Sequence, residues 1–302
     1  MAIYLPIAGI SIDVLWLLGL GGIVGVLSGM FGVGGGFLLT PFLIFLGVPP
    51  TVAVATGANQ VVGASVAGVI AHWQRGNVDF RMGIVLLVGG LIGSGIGILV
   101  FGWLQRSGQA DLLIQLSYVI FLGFIGLTMA VESVRALMRG PSALPRKAHR
   151  HPWHGLPFKM KFPRSGLYIS VLLPLGVGAF GGILAAVMGV GGGFVMVPLM
   201  IYVLEMPTRV VIGTSLFQII FVTANVTILQ AVHTLSVDVV LMLILLLGGV
   251  IGAQFGTRLG AKLRGEQLRA LLALLVLGVC LRLAFDLVRA PGDLYSLVTR
   301  LS

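Results

Sequence analysis

Apolar stretches dominate the chain, and polar residues occur mainly in the short segments between them. Eight stretches are close to the 20 or so residues that a helix needs to cross the hydrocarbon layer of a membrane. They are 14–30, 51–71, 82–104, 112–131, 167–187, 210–232, 236–257 and 267–288. The alternating ten-residue segments typical of a membrane β-barrel are absent from the sequence. The pattern therefore predicts an all-α polytopic membrane protein.

Two glycine strings interrupt this pattern inside apolar segments. Residues 31–37 read Phe-Gly-Val-Gly-Gly-Gly-Phe, and residues 188–194 read Met-Gly-Val-Gly-Gly-Gly-Phe, 157 positions later. Each glycine costs about 1 kcal/mol relative to alanine in a helix interior. Each string therefore predicts a broken helix, either discontinuous or re-entrant.

The two strings belong to an internal repeat. Pro41 and Pro198 keep the same offset, and a slippage of one or two residues aligns three further pairs. These are Thr56 with Thr214, Gln60 with Gln218, and Val78-Asp79 with Val237-Asp238. The sequence thus predicts a first repeat at 1–138, a basic linker at 139–165 and a second repeat at 166–302, with about 8 to 10 transmembrane elements in all.

Charge is scarce and basic. Charged residues make up 9% of the 302 residues, hydrophobic residues make up 58%, and the formal net charge is +10. In a membrane protein such an excess is typical of cytoplasmic loops beside anionic lipid, so no nucleic-acid partner is predicted. Met1–Ser11 has no basic region, which predicts no cleavable signal peptide. Cys280 lies in an apolar stretch and indicates neither a disulfide nor a metal cluster.

The linker is polar and rich in proline, so it cannot cross a bilayer. A solvated linker is the simplest interpretation, and a loop that binds anionic lipid headgroups is the alternative. Its histidines His149, His151 and His154 could hold a metal, but no cysteine or carboxylate lies nearby to complete a site. We predict no metal and no cofactor.

Topology follows from the position of the positive charges. If each broken segment crosses once, the repeats are parallel and 13 Lys or Arg residues lie inside against 6 outside. If each goes in and returns, the repeats are inverted and the split becomes 15 to 4. Because positive charges favour the cytoplasmic side, we prefer the inverted arrangement with a cytoplasmic linker.

A break at membrane depth exposes backbone N–H groups at a helix start, which form an anion site. Inverted-repeat transporters build central sites from such helices. Gly34, Gly35 and Gly36, with Gly191, Gly192 and Gly193, are therefore the predicted cradle, and close helix packing is the alternative. Packing is preferred for two stripes with four-residue spacing. They are Gly89, Gly93 and Gly97, and Gly248, Gly252, Gly256 and Gly260.

Polar residues in the helices that follow the breaks could complete the site. The candidates are Thr56, Asn59 and Gln60 in the first repeat and Thr214, Ser215 and Gln218 in the second. Hydrogen bonding between helices is their alternative role. His72 and His233 lie at the ends of apolar stretches, and all nine acids lie at or near such ends. A carboxylate proton relay and an acid-lined cation channel are therefore disfavoured.

The paired segments resemble the TauE/SafE family of sulfite and organosulfonate exporters. The resemblance lies in "GMFGVGGGFLLTPFLIFLGVPPTVAVATG" (29–57) and "AVMGVGGGFVMVPLMIYVLEMPTRVVIGTS" (186–215). The glycine motif of the family falls on Gly32–Gly36 and Gly189–Gly193, and its Gly-Thr-Ser falls on Gly213–Ser215. The first repeat departs from that pattern and reads Ala55-Thr56-Gly57. The resemblance implies a multi-pass transporter of small sulfur-containing anions in the bacterial inner membrane.

These observations together predict a secondary transporter that exports a small anion by alternating access around the two breaks. No nucleophile with a base beside it is recognisable, so no enzymatic activity is predicted. Import or exchange of the same anions, and a membrane scaffold or sensor without transport, are the alternatives. The glycine stripes are compatible with a homodimer.

Overall fold

Ten α-helices in two sets of five form most of the described chain. The computed structural model describes residues 2–31, 35–139, 157–189, 192–260 and 265–288. The first set is α1 Val14–Phe31, α2 Gly36–Phe45, α3 Pro50–Gln74, α4 Phe80–Arg106 and α5 Ala110–Arg139. The second set is α6 Leu172–Met188, α7 Gly193–Tyr202, α8 Thr208–His233, α9 Val239–Gly260 and α10 Gly265–Val288. The two sets correspond helix by helix.

Six of the described helices are long and apolar enough to cross a membrane. They are α3, α4 and α5 and their counterparts α8, α9 and α10. The four shorter apolar helices, α1, α2, α6 and α7, are the pieces of the two broken segments. The predicted all-α, multi-pass membrane protein is therefore confirmed.

Two β-hairpins precede the helices of the two sets and were not predicted. β1 (Ala2–Leu5) pairs with β2 (Ile10–Asp13), and β3 (Lys159–Phe162) pairs with β4 (Leu167–Ser170), both antiparallel. Strands of four residues are too short to show a clear alternation of apolar and polar positions. The second hairpin begins inside the segment predicted as linker. The three linker histidines lie outside the described residues.

Each short helix turns back along the helix before it. A Cβ built on Gly35 would lie 2.7 Å from Ser28 Cβ and 3.3 Å from Val24 Cγ1, which are one and two turns back in α1. A Cβ built on Gly192 would lie 2.9 Å from the carbonyl oxygen of Gly181 in α6. The broken segments are therefore re-entrant: they go in and return.

The orientation of the central helices shows that the two sets are inverted. Gly213, near the start of α8, lies against the backbone of Asn77, just after the end of α3. Thr56, near the start of α3, bonds to Asp238, just after the end of α8. Because each helix begins where its counterpart ends, α3 and α8 run antiparallel, as inverted repeats require.

The two repeats interlock through their glycine stripes. α4 packs on α6, where a Cβ on Gly93 would overlap the carbonyl oxygen of Ala179. α1 packs on α9, where a Cβ on Gly252 would overlap the carbonyl oxygen of Gly22. Each helix that carries a break therefore packs against the other repeat, and the stripes serve close packing, as predicted.

Candidate functional site

The first break is centred on Gly35, which is the N-cap of α2. Its φ of +68° lies in the left-handed region that glycine adopts without strain. Its carbonyl oxygen accepts the N–H groups of Leu38 and Leu39 at 3.1 and 3.3 Å. The first N–H groups of a helix have no partner within that helix, and here they belong to buried residues, Gly36 and Phe37.

The second break repeats this geometry. Gly192 is the N-cap of α7 with φ +73°, and Gly193 begins that helix. Gly189 ends α6 with φ +66°, and a Cβ there would overlap the backbone of Val54 in α3. Both strings therefore interrupt helices, as predicted. Gly34 and Gly191 lie outside the described residues.

The two breaks approach one another through a pair of aromatic rings. Phe37 and Phe194 are the second residues of α2 and α7, and both are buried. Their ring centroids are 4.4 Å apart and their planes differ by 13°. The stacked rings place the two helix starts at one location and fill the space between them with apolar surface.

Side chains of two other helices hold the end of α6 beside the second break. The hydroxyl of Tyr118, on α5, donates to the carbonyl oxygen of Met188 at 2.6 Å. The amide Nε2 of Gln230, on α8, donates to the carbonyl oxygen of Ala186 at 3.0 Å. Both side chains are fully buried. They satisfy carbonyl groups that the end of a helix leaves without intrahelical partners.

The predicted threonines have structural partners. The N–H of Asp238 donates to Thr56 Oγ1 at 3.0 Å, and the N–H of Asp79 donates to Thr214 Oγ1 at 3.0 Å. All four residues are buried. Ser215 Oγ donates to the carbonyl oxygen of Ile212 within its own helix. Thr56 and Thr214 thus accept hydrogen bonds from residues that precede helices of the other repeat, whereas Ser215 bonds only within its own helix.

The predicted amides are only partly satisfied. Gln60 Nε2 donates to the carbonyl oxygen of Gly21 at 2.8 Å, while its buried Oε1 has no partner among the described residues. Gln218 Oε1 and Asn59 Nδ2 are buried and equally without a described partner. Buried polar atoms are normally hydrogen-bonded. Of the three free atoms, Asn59 Nδ2 is a donor that an anion could use, whereas Gln60 Oε1 and Gln218 Oε1 are acceptors that could bind ordered water.

Sequence reasoning did not identify four buried residues near the breaks as functional, namely Phe37, Phe194, Tyr118 and Gln230. The two phenylalanines carried a usable signal, because both glycine strings end in Phe. Tyr118 and Gln230 have no counterpart of the same type in the other repeat, so the repeat could not reveal them.

Comparisons with known proteins also indicate a membrane transporter. The sequence model of the family described as sulfite exporter TauE/SafE matches residues 17–283. A probable membrane transporter protein of Xylella fastidiosa is 30% identical over 272 residues, 87% of this chain and 92% of that protein. A probable membrane transporter protein of Bacillus subtilis is 28% identical over 257 residues, 84% of this chain and 93% of that protein. No solved structure matches significantly.

Proposed function

The chain belongs to the sulfite exporter TauE/SafE family of membrane transporters, and we propose that it exports small sulfur-containing anions, sulfite or organosulfonates. Transport proceeds across the bacterial inner membrane by alternating access. The anion binds between the two breaks, where the N–H groups at the starts of α2 and α7 donate to its oxygens. Asn59 Nδ2 donates to the anion, and the acceptor oxygens of Gln60 and Gln218 reach it through ordered water.

The observation that supports this proposal best is the Phe37–Phe194 stack. It joins the starts of two re-entrant helices from inverted repeats at a single place. Helix starts attract anions through free N–H groups and the positive end of the helix dipole. With the rings stacked the site is closed, and a rocking motion of one repeat against the other would separate the rings and admit the anion.

Membrane potential supplies a driving force for export. With the inside negative, each negative charge that leaves gains about 2.3 kcal/mol per 100 mV, and a dianion gains roughly twice that. Among the described residues the buried carboxylates are Asp79 and Asp238, which precede α4 and α9 and accept hydrogen bonds on both oxygens. Neither lies at the breaks, where a proton relay would be needed, so export requires no obligatory coupling to protons.

Flux measurements in proteoliposomes test the proposal. Sulfite efflux should rise with an imposed inside-negative potential and should stop in Gly35→Val and Gly192→Val. Both substitutions force a β-branched residue into a left-handed backbone and against neighbouring atoms. Gly176→Val is the matched control, because a Cβ on Gly176 in α6 meets nothing within 4 Å.

The outcomes separate the alternatives. Flux that ignores the potential contradicts uncoupled export, and equal counterflow from both sides indicates an exchanger. Normal flux in both glycine variants, with the protein correctly inserted, removes the breaks from the mechanism. The absence of flux for every sulfur anion tested, together with no stabilisation by sulfite, indicates a scaffold or sensor.

A further inference from the structure

A cavity of about 440 Å³ lies where α4 and α8 end. Its lining combines apolar side chains, Leu99 and Trp103, with polar ones, Gln105, Arg106 and His233. None of these residues belongs to the two breaks or to the predicted anion site. The cavity is therefore separate from the proposed anion site. Its mixed lining suits an amphipathic ligand.

The apolar and basic groups are separated along the axis of α4. Leu99 and Trp103 are 72% and 67% exposed, so they face the lipid on the outside of α4. Arg106 is the last residue of that helix. Arg106 lies seven positions after Leu99, which is about 10 Å along the axis. This order, apolar wall, indole and then guanidinium, matches the order of acyl chain, interface and phosphate in a phospholipid.

The two acids Asp238 and Asp111 bond to backbone N–H groups and form no ion pair with Arg106. Asp238 Oδ2 accepts the N–H groups of Ile7 and Ala8, and its Oδ1 accepts those of Val240 and Leu241. Asp111 accepts the N–H of Thr51. Arg282 forms an ion pair with Asp286, and none of the described residues forms one with Arg106. The guanidinium therefore remains available to an external anion.

The position of Arg106 is unusual for the predicted orientation. With residues 139–165 in the cytoplasm, this end of α4 lies at the opposite face, to which the predicted topology assigns four of the 19 Lys and Arg residues. An arginine there works against the positive-inside bias. A local anionic partner explains its presence better than the topology signal does.

We propose that this cavity binds the headgroup phosphate of an anionic phospholipid. Arg106 and His233 donate to the phosphate oxygens, Trp103 lies at the level of the glycerol backbone, and an acyl chain runs along Leu99. The inference rests on the membrane location of the chain and is independent of the proposed substrate.

Lipid binding to the purified full-length protein in detergent tests the proposal. Native mass spectrometry would count bound phosphatidylglycerol and phosphatidylcholine, and thermal unfolding would measure their stabilising effect. Phosphatidylglycerol should bind and stabilise, whereas phosphatidylcholine and inorganic phosphate at the same concentrations should not. Arg106→Gln should weaken phosphatidylglycerol binding about fivefold, which corresponds to about 1 kcal/mol for one basic residue near an anionic lipid surface. His233→Gln should weaken it in the same direction.

The matched control is Arg81→Gln, which removes an arginine from the other end of the same helix. It should leave the binding measured at the cavity unchanged. Equal phosphatidylglycerol affinity in Arg106→Gln and wild type overturns the proposal, as does an equal loss in Arg81→Gln. Binding of inorganic phosphate that depends on Arg106 also overturns it, because the occupant is then a free oxyanion. If Arg106→Gln does not fold, Arg106→Lys replaces it: retained lipid selectivity supports the site, and lost selectivity with phosphate binding counts against it.

Discussion

The backbone N–H of Asp79, in the first repeat, donates a hydrogen bond of 3.0 Å to the hydroxyl of Thr214 in the second. The carboxylate of Asp79 continues this contact. Its Oδ2 accepts the N–H and the hydroxyl of Ser165, in the turn between β3 and β4, at 2.9 and 2.7 Å. Its Oδ1 accepts the N–H of Met82 and so caps α4. We call Asp79, Thr214 and Ser165 the first clamp.

The inverted repeat builds a second clamp at the opposite end of the central helices. There the N–H of Asp238 donates to Thr56, and its carboxylate accepts N–H groups of Ile7 and Ala8 in the turn between β1 and β2. Each clamp thus joins a helix start of one repeat to a helix and a hairpin of the other. Both clamps are formed in this structure, and under the proposed alternating access we expect that opening either face loosens one of them.

Thr214→Val should destabilise the protein. The substitution keeps the shape of the side chain but removes the acceptor for the buried N–H of Asp79, which costs about 1–3 kcal/mol. Thermal unfolding in detergent should show a lower midpoint, and Thr214→Ser should restore it. Thr128→Val is the control, because that exposed hydroxyl donates only to its own helix. A Thr214→Val protein as stable as wild type would show that the first clamp adds nothing.

Asp79→Asn and Asp238→Asn should open opposite faces. Each places an amide N–H₂ or a neutral oxygen where a carboxylate accepts hydrogen bonds, and each charge-assisted bond lost costs about 1.5–3 kcal/mol. Reporter cysteines can be introduced by Asn77→Cys beside Asp79 and by Ser236→Cys beside Asp238, in a Cys280→Ser background that has no other cysteine. Asp79→Asn should speed maleimide labelling at position 77 alone, and Asp238→Asn at position 236 alone. Labelling that rises at both positions in either variant contradicts independent clamps.

Local patterns in the sequence were enough to predict the repeat, the two breaks and the inverted topology. Consecutive glycines disfavour a helix through the local backbone, and the bias of Lys and Arg toward the cytoplasmic side can be counted without knowing the fold. The role of Thr56 and Thr214 could not be predicted in the same way. Their partners lie 182 and 135 residues away in the sequence. Each threonine bonds to the aspartate that precedes a helix of the other repeat, Thr56 to Asp238 and Thr214 to Asp79. These pairs form only when the two repeats pack against each other.

Gly93→Ala should disrupt the packing of α4 on α6. The added methyl would overlap the carbonyl oxygen of Ala179, a backbone atom that cannot move without displacing its helix. Overpacking of this kind typically costs about 1–3 kcal/mol. Gly95→Ala, two residues along the same helix, is the control, because its Cβ meets nothing within 4 Å. Thermal unfolding and size-exclusion profiles should separate the two variants. Equal melting of both would mean that α4 and α6 are not in close contact in the membrane-embedded protein.

Phe194→Ala should make the protein both less stable and leaky. The ring is buried and stacked on Phe37, so its removal leaves a cavity and costs about 3–5 kcal/mol. It also removes the apolar surface between the two helix starts, so small anions should pass without the rocking motion. Thermal unfolding measures the first effect, and sulfite or chloride leak from loaded proteoliposomes measures the second. Phe221→Ala is the control, because that ring is 47% exposed on α8 and packs on Phe217 and not on the Phe37–Phe194 stack. A folded Phe194→Ala protein that leaks anions no faster than wild type would show that the stack does not close the pathway.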